Sequence, residues 1–331
     1  MDITNLTTFA VPAACRQLVR IPLATDVPQI LEQFDIAHQP HLVLGGGSNV
    51  LFTRYFDGII LQMNNKGMAL LSETDEFAVL EVAAGEVWDD FVHYCIQHRY
   101  YGVENLIGIP GFAGSCPVQN IGAYGMEVKD VIQSVKGFRI HSGEAFELQN
   151  ADCQFSYRTS IFKTDWKDDA IITSVIFRLS KKEHYNLSYQ GLTQALQNSG
   201  LEPSLDNIAM CVIKVRNSKL PDIREVGCAG SFFKNPVVAC AVRDALLERF
   251  PTLVSYPTGE GFCKLAAGQL IELSGMKGVR EGAVGVWPHQ ALVIVNYGGA
   301  TGAEVQNFYR TVQQQVEHVT GIKIEPEVRV L

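Results

Sequence analysis

Hydrophobic and polar residues alternate along this chain in blocks that change period several times. Val27, Ile30, Leu31 and Phe34 follow Thr25 and Asp26, which predicts a capped amphipathic helix over roughly 27–37. His41–Leu44 reads as a short buried strand running straight into Gly45-Gly46-Gly47-Ser48-Asn49, and a second strand covers 58–63. This is a small β–α–β-type unit. The alternating stretch 77–83 predicts a strand. Val87, Phe91, Tyr94, Cys95 and His98 then recur at helical spacing, for a helix over roughly 86–99. The glycine-rich segment 102–125 cannot form a regular element. Strands follow around 132–140 and 170–179. A third region starts near Lys214, with helices around 237–249 and 263–274, a strand at 291–296, a helix over 302–319 and a last strand at 322–330. Strands and helices mix without strict alternation, so the fold class is α+β with mixed sheets.

The length of 331 residues suggests about two domains at ~150 residues each. With 47% hydrophobic and 19% charged residues, the chain is globular and neither disordered nor fibrous. The net charge of −8 argues against a general binder of nucleic acid or anionic membrane, while leaving room for a local basic pocket. The longest aliphatic run, Ala291–Val295, is too short to span a bilayer. No basic region leads a long apolar run at the N-terminus, so we expect no signal peptide and a cytoplasmic location. The eight cysteines include no CxxC, so they read as reduced thiols without a metal framework. His93, Cys95 and His98 stand at i, i+2 and i+5, which is not one helix face. No metal is expected.

Five segments carry candidate chemistry. In the first, Gly45–Asn49, glycines allow close backbone approach and successive amides can hold a phosphate, with Ser48 and Asn49 adding donors; a plain strand-to-helix turn is an equal reading. It lacks the third glycine of a dinucleotide fingerprint. The second, 109–125, is a long loop with Ser115, Gln119 and Asn120. It suits a ligand with phosphates and a heteroaromatic ring, because long structureless loops are uncommon unless functional. In the third, 155–163, an extended chain would put Ser156, Arg158 and Ser160 on one face, and Arg158 could clamp a carboxylate; an edge-strand Arg in water is the plainer reading. The fourth, Gly230-Ser231-Phe232-Phe233-Lys234-Asn235-Pro236, is not a nucleophile elbow and has no histidine base, and by itself is a glycine-serine turn before a helix. In the fifth, 325–329, Pro326 isolates Glu327 on a terminus that by default is a solvated tail.

Together these segments resemble the UDP-N-acetylenolpyruvoylglucosamine reductase family. The patterns GxGSN, IPGxxGxxPxQNIGAYG, FxYRxSxFK, GSFFKNP and EPEVR stand here in order over nearly the whole chain. Leu6-Thr7-Thr8-Phe9, Ser188–Leu192 and Lys264–Gly268 add to them, and the Tyr189 segment marks the form with an extra loop closing over substrate. The resemblance implies an FAD-binding fold of the PCMH/vanillyl-alcohol-oxidase type in two subdomains, 1–66 (rejoined by 325–331) and 67–213, followed by a C-terminal α/β substrate-binding domain, 214–324. It implies FAD held by Gly45, Gly47, Ser48, Asn49, Gly111, Ser115, Gln119, Asn120, Gly122, Arg216 and Arg329.

Relatives of that flavin fold attach FAD through His or Cys in such loops. Neither loop has a His and only Cys116 is present, so FAD is expected to be non-covalent. NADPH is the implied co-substrate, taking turns with the UDP-sugar in one site. Arg158 and Glu327 would act at the substrate carboxylate, Glu327 protonated or sharing a proton, and Ser231 would protonate the carbanion-like carbon. Lys219 and Asn235 would hold the phosphates, Tyr189 would close over them, and Tyr256, Lys264 and Gln290 are further nucleotide-site candidates. A monomer is expected. A flavin oxidase on the same fold and a non-catalytic nucleotide-binding module are the competing readings. GSFFKNP and EPEVR argue against the oxidase, since only the reductase uses both.

Overall fold

The computed structural model describes residues 1–331. It divides into two compact units. One comprises Met1, Cys15–Gly46 and Asp57–Arg216, the other Asp2–Ala14, Gly47–Phe56 and Asn217–Leu331.

The first unit contains two larger sheets and a two-stranded ribbon, Gly122–Ala123 with Met126–Glu127. The smaller of the two sheets has the order Cys15–Ile21, Phe56–Met63, His41–Leu44, and its last two strands run parallel with His41 opposite Ile59 and Leu44 opposite Gln62. The larger is antiparallel, in the order Ala145–Gln149, Ile132–Arg139, Ala170–Ser180, Phe77–Ala83, Met68–Glu73. Its central strand is buried almost throughout, as the run Ile171, Ile172, Val175, Ile176 and Phe177 demands. Phe77–Ala83 alternates as its sequence does, burying Ala78, Leu80 and Val82. The helix Trp88–Gln97 lays Trp88, Phe91, Val92, Cys95 and Ile96 on one side, and the ring of Phe91 meets that of Phe177 at 4.6 Å. His93 and His98 leave that side. His93 faces Asp89 at 3.7 Å, and His98 stacks on Tyr94 at 4.0 Å.

The second unit contains a four-stranded sheet in the order Gly227–Cys228, Ile294–Asn296, Val284–Val286, Arg280–Glu281, and a three-stranded antiparallel sheet with Phe262–Leu265 between Val237–Ala239 and Ser255–Gly259. The helix Gly302–Thr320 starts at a reciprocal Thr301/Glu304 cap, ends at left-handed Gly321, and buries Val305, Phe308, Tyr309, Val312 and Val316. The final strand, Arg329–Val330, runs parallel to Val50–Leu51.

Several expectations change. The stretch 237–249 begins as a strand and becomes helix only at Cys240, and 263–274 likewise opens as strand Phe262–Leu265 before helix Ala267–Leu273. Pairing of Val237 and Val238 with Lys264 and Cys263 overrides the helical spacing. Of 322–330 only Arg329–Val330 is strand. Strands Cys15–Ile21, Met68–Glu73 and Ala145–Gln149 and helices Gln190–Ser199 and Leu205–Lys219 went unread. The division expected at 66 falls between the two sheets of one unit. The C-terminal residues pair with Val50–Leu51 in the second unit, not with the sheet of 15–63.

Candidate active site

In the first unit the glycine turn packs on the long loop. A Cβ on Gly46 would lie 2.9 Å from Gly111 Cα, and one on Gly45 3.2 Å from Ser115 Cβ, so only glycine permits this approach. No carbonyl of the chain accepts from the amides of Gly45 and Gly46. Two unpaired amides beside a bare-backbone cradle are the donor set that a dinucleotide pyrophosphate needs. The residues therefore fit FAD. Gly111 supplies the cradle with a φ of +131°, and the Ser115 hydroxyl donates to Phe112 O at 2.7 Å, which tightens the turn. Cys116 is 1% exposed, and burial pushes its thiol well above the ordinary range.

Both Nδ2 hydrogens of Asn120 are taken within the chain, and its Oδ1 already accepts one bond. It donates to Glu127 Oε2 and to Ser156 O, both at 3.1 Å, and accepts from Lys129 N at 3.1 Å. The expectation that it holds the flavin ring edge gives way to a brace that fixes a left-handed turn (φ +47°) in the loop. Gln119 is half-buried beside it.

The 155–163 segment is not extended. Ser156 and Thr159 bridge each other around a tight turn, with Arg158 at φ +56°. A left-handed non-glycine residue costs about 1–3 kcal/mol and is kept where the surroundings force it. Here the Arg158 guanidinium donates to Gly122 O at 2.6 Å, lies 5.3 Å from the Tyr157 ring, and would crowd a Cβ on Gly122 at 3.1 Å. Ser160 donates to Val118 O at 2.6 Å. Arg158 is thus aimed by the same loop that forms the glycine cradle.

Tyr189, partly exposed, meets the Tyr124 ring edge-on at 5.2 Å. Asn105 donates to Tyr124 O at 2.8 Å and to Asn186 O at 2.9 Å, while Asn186 donates to Gly125 O at 2.9 Å. These two carboxamides fasten the Tyr189 segment to the 122–125 turn. Burial raises the Tyr124 phenol, and the nearby Arg216 partly offsets it. Arg216 also lies against Gly108, where a Cβ would meet Nε at 3.1 Å. Tyr124 stood inside the GAYG motif, but Asn105 and Asn186 had no sequence signal, since isolated carboxamides say nothing of which carbonyls they reach.

In the second unit, Thr8 donates its amide to Gly47 O at 3.1 Å and its hydroxyl to Cys228 O at 2.6 Å. This ties Gly47 to the strand that leads into Ser231. Ser231 is exposed after left-handed Gly230. The next two residues anchor it. Phe232 packs on Phe9 at 6.1 Å and on Tyr309 at 4.9 Å, and Phe232 and Phe233 are essentially buried. The C-terminal segment runs alongside. Lys234 N donates to Glu325 O at 2.9 Å, Phe233 bridges Pro326, and Glu327 N donates to Phe232 O at 2.7 Å. Arg329 N donates to Asn49 O at 3.1 Å, and Asn49 Nδ2 reaches Glu327 O at 3.4 Å. The solvated-tail reading fails. Ser231, Glu327, Asn49 and Arg329 share one backbone network.

A second group gathers nearby in sequence and pairing. Lys264 stands opposite both Val237 and Tyr256, with Tyr256 exposed. Asn235 Oδ1 accepts from Ala267 N at 2.9 Å, and Gln290 Oε1 lies where a Cβ on Gly268 would meet it at 3.2 Å. Lys219 closes helix Leu205–Lys219 and Ser48 follows Gly47. Arg158 and Tyr189 belong to the first unit, Ser231 and Glu327 to the second.

Comparisons with known proteins match this layout. A family model described as FAD binding domain matches residues 17–149, and one described as UDP-N-acetylenolpyruvoylglucosamine reductase, C-terminal domain, matches 222–331. The curated UDP-N-acetylenolpyruvoylglucosamine reductase of Flavobacterium johnsoniae is 42% identical over 332 residues, covering 100% of this chain and 98% of that one. That of Porphyromonas gingivalis W83 is 45% identical over 286 residues, covering 86% and 85%. The solved reductase of Thermus caldophilus superposes with a TM-score of 0.66 at 22% identity, covering 100% and 97%, and shares the fold. No helix is long and apolar enough to cross a membrane. The α+β flavin-binding fold with a C-terminal domain is borne out, and the chain belongs to the UDP-N-acetylenolpyruvoylglucosamine reductase family.

Proposed function

We propose that this chain reduces the enolpyruvyl ether of UDP-N-acetylglucosamine to UDP-N-acetylmuramate, a peptidoglycan precursor, with NADPH as electron donor. The observation that supports the reading is the backbone pairing of Glu325–Glu327 with Phe232–Lys234, which brings the EPEVR segment against the GSFFKNP segment. FAD, when bound, would supply hydride-transfer chemistry between the nicotinamide and the methylene carbon of the substrate. Gly45, Gly111 and Ser115 form its cradle, Gly47, Ser48, Asn49, Gln119, Gly122, Arg216 and Arg329 contribute to its site, and Asn120 braces it. The buried Cys116 leaves the cofactor non-covalent.

Arg158 holds the substrate carboxylate, where negative charge grows, and Glu327 shares a proton with it. Ser231 gives its hydroxyl proton to the adjacent carbon, a feasible transfer because that carbon is a strong base. Lys219 and Asn235 hold the diphosphate, Tyr189 closes over it, and Tyr256, Lys264 and Gln290 serve the nucleoside end. NADPH and the sugar nucleotide use one site in turn, and the protein works as a cytoplasmic monomer. Spectrophotometry with purified protein tests this. NADPH oxidation must require the enolpyruvyl ether, and a yellow cofactor must pass into the supernatant after acid precipitation. Oxidation that depends on oxygen alone, or colour retained in the pellet, rejects the reading.

A further inference from the structure

Two cysteines of the second unit have no part in the chemistry above. Cys240 opens the helix Cys240–Arg249, and Cys263 sits within strand Phe262–Leu265. Antiparallel register brings them together. Val238 pairs with Cys263, Ala239 pairs with Phe262, and Cys240 N donates to Gly261 O at 2.8 Å. Their sulfurs lie 2.7 Å apart. Cys263 is 3% exposed, whereas Cys240 is the one cysteine of the eight that is not buried. A half-buried cysteine thus stands in contact with a fully buried one, the pairing of an attacking and a resolving cysteine.

We propose that Cys240 and Cys263 form a reversible intrachain disulfide that locks the three-stranded arm 237–239, 255–259 and 262–265 onto the helix Cys240–Arg249, which its first strand leads into. The oxidant is a hydroperoxide. The Cys240 sulfur attacks the peroxide oxygen, the O–O bond breaks, and for hydrogen peroxide one water leaves as the sulfur becomes a sulfenic acid. The Cys263 sulfur then attacks Cys240, the S–O bond breaks, and the hydroxyl leaves as a second water with the remaining thiol proton. In sum two thiols and one peroxide give one disulfide and two waters, and a dithiol reductant restores the thiols by exchange. The link closes a loop that contains the whole Ser255–Gly259 strand, with Tyr256 and Lys264 on the locked sheet. A cross-link of this kind stabilises by restricting the open states of the loop.

The test is mass spectrometry and melting of the full-length protein after brief treatment with hydrogen peroxide. The expected product is 2 Da lighter, has lost two of its eight titratable thiols, and yields one dithiothreitol-sensitive linked peptide pair containing Cys240 and Cys263. Its melting temperature rises by a few degrees and returns on reduction. Cys240→Ser and Cys263→Ser each lose the link and the shift, and Cys240→Ser keeps wild-type turnover. A peroxide-treated protein that keeps all eight thiols, that links a different pair, that gains oxygen at Cys240 without a link, or that forms the link with no change in melting overturns the proposal.

Discussion

The backbone amide of Glu327 donates to the carbonyl of Phe232 at 2.7 Å, so the last acidic residue of the chain is paired with the residue next to Ser231. The bond belongs to the main chain, so substitutions of either side chain leave it in place. That makes both residues clean targets.

Ser231→Ala should still be reduced by NADPH at the wild-type rate, because the hydroxyl enters only at the protonation of carbon. Reoxidation by the enolpyruvyl substrate should slow about 100- to 10,000-fold, the usual worth of a positioned acid. Stopped-flow absorbance of the flavin separates the two steps. Near-normal reoxidation would remove Ser231 from the mechanism.

For Glu327→Ala, turnover should fall about 100- to 1,000-fold with an unchanged melting temperature. Removing 325–331 altogether is a different experiment. It strips Val328, 4% exposed, and the Arg329–Val330 strand from the second unit, and should lower that unit's stability as well as activity. Steady-state kinetics and thermal melts distinguish the two outcomes, and an active Glu327→Ala enzyme contradicts the proposed role.

Gly46→Ala places a methyl 2.9 Å from Gly111 Cα, both on backbone that cannot swing aside. The cradle must open to admit it. The variant should purify with little or no flavin and regain colour only at high added FAD. Titration of the apoprotein followed by fluorescence gives the affinity, and a wild-type value would mean that the cradle is not the cofactor site.

Asn120→Ala deletes three hydrogen bonds from a fully buried carboxamide, strands Lys129 N and leaves Ser156 O with the Thr159 amide alone. The cost should be about 2–4 kcal/mol in denaturant unfolding. Flavin should be lost more readily, as a consequence of the loosened loop. A variant as stable as the parent would show that the brace carries no energy.

Glu104 gives a pH signature. Its carboxyl is 2% exposed and accepts from Gly102 N at 2.8 Å, yet burial raises its pKa above the ordinary glutamate value. The native state thus holds a proton that the unfolded chain has already released. Stability from this group is complete below the unfolded pKa and declines as pH rises through the folded one. Glu104→Gln, which keeps the acceptor, should melt higher than the parent at pH 8, with the gap closing toward pH 4. A gap that is constant or grows in acid would be the wrong sign.

Much of the first unit could be read directly. Phe77–Ala83 alternates in sequence and in burial because a strand with one packed face repeats every two residues. Trp88–Gln97 repeats every three to four for the corresponding reason. Met68–Glu73 could not be read, because an edge strand with Leu70 and Leu71 exposed owes its form to its partner Phe77–Ala83 and not to its own pattern. The same limit misplaced 237–249 and 263–274, where cross-strand pairing decides the first residues.

At the site, residue types and spacing marked the glycine turn and the long loop, while Arg158, Ser231 and Glu327 were singled out only by the family resemblance that the five motifs carry together. What they could not decide was geometry. Arg158 looked like one face of a strand, and the structure puts it in a left-handed turn with its guanidinium on Gly122 O. Asn120 looked like a ligand donor, and only its neighbours Glu127, Ser156 and Lys129 reveal a brace. Local propensity and periodicity act over a few residues and are written in the chain. Whether a polar group meets a ligand or a backbone carbonyl depends on partners tens or hundreds of positions away, as Glu327 does on Phe232, and that is settled when the chain packs.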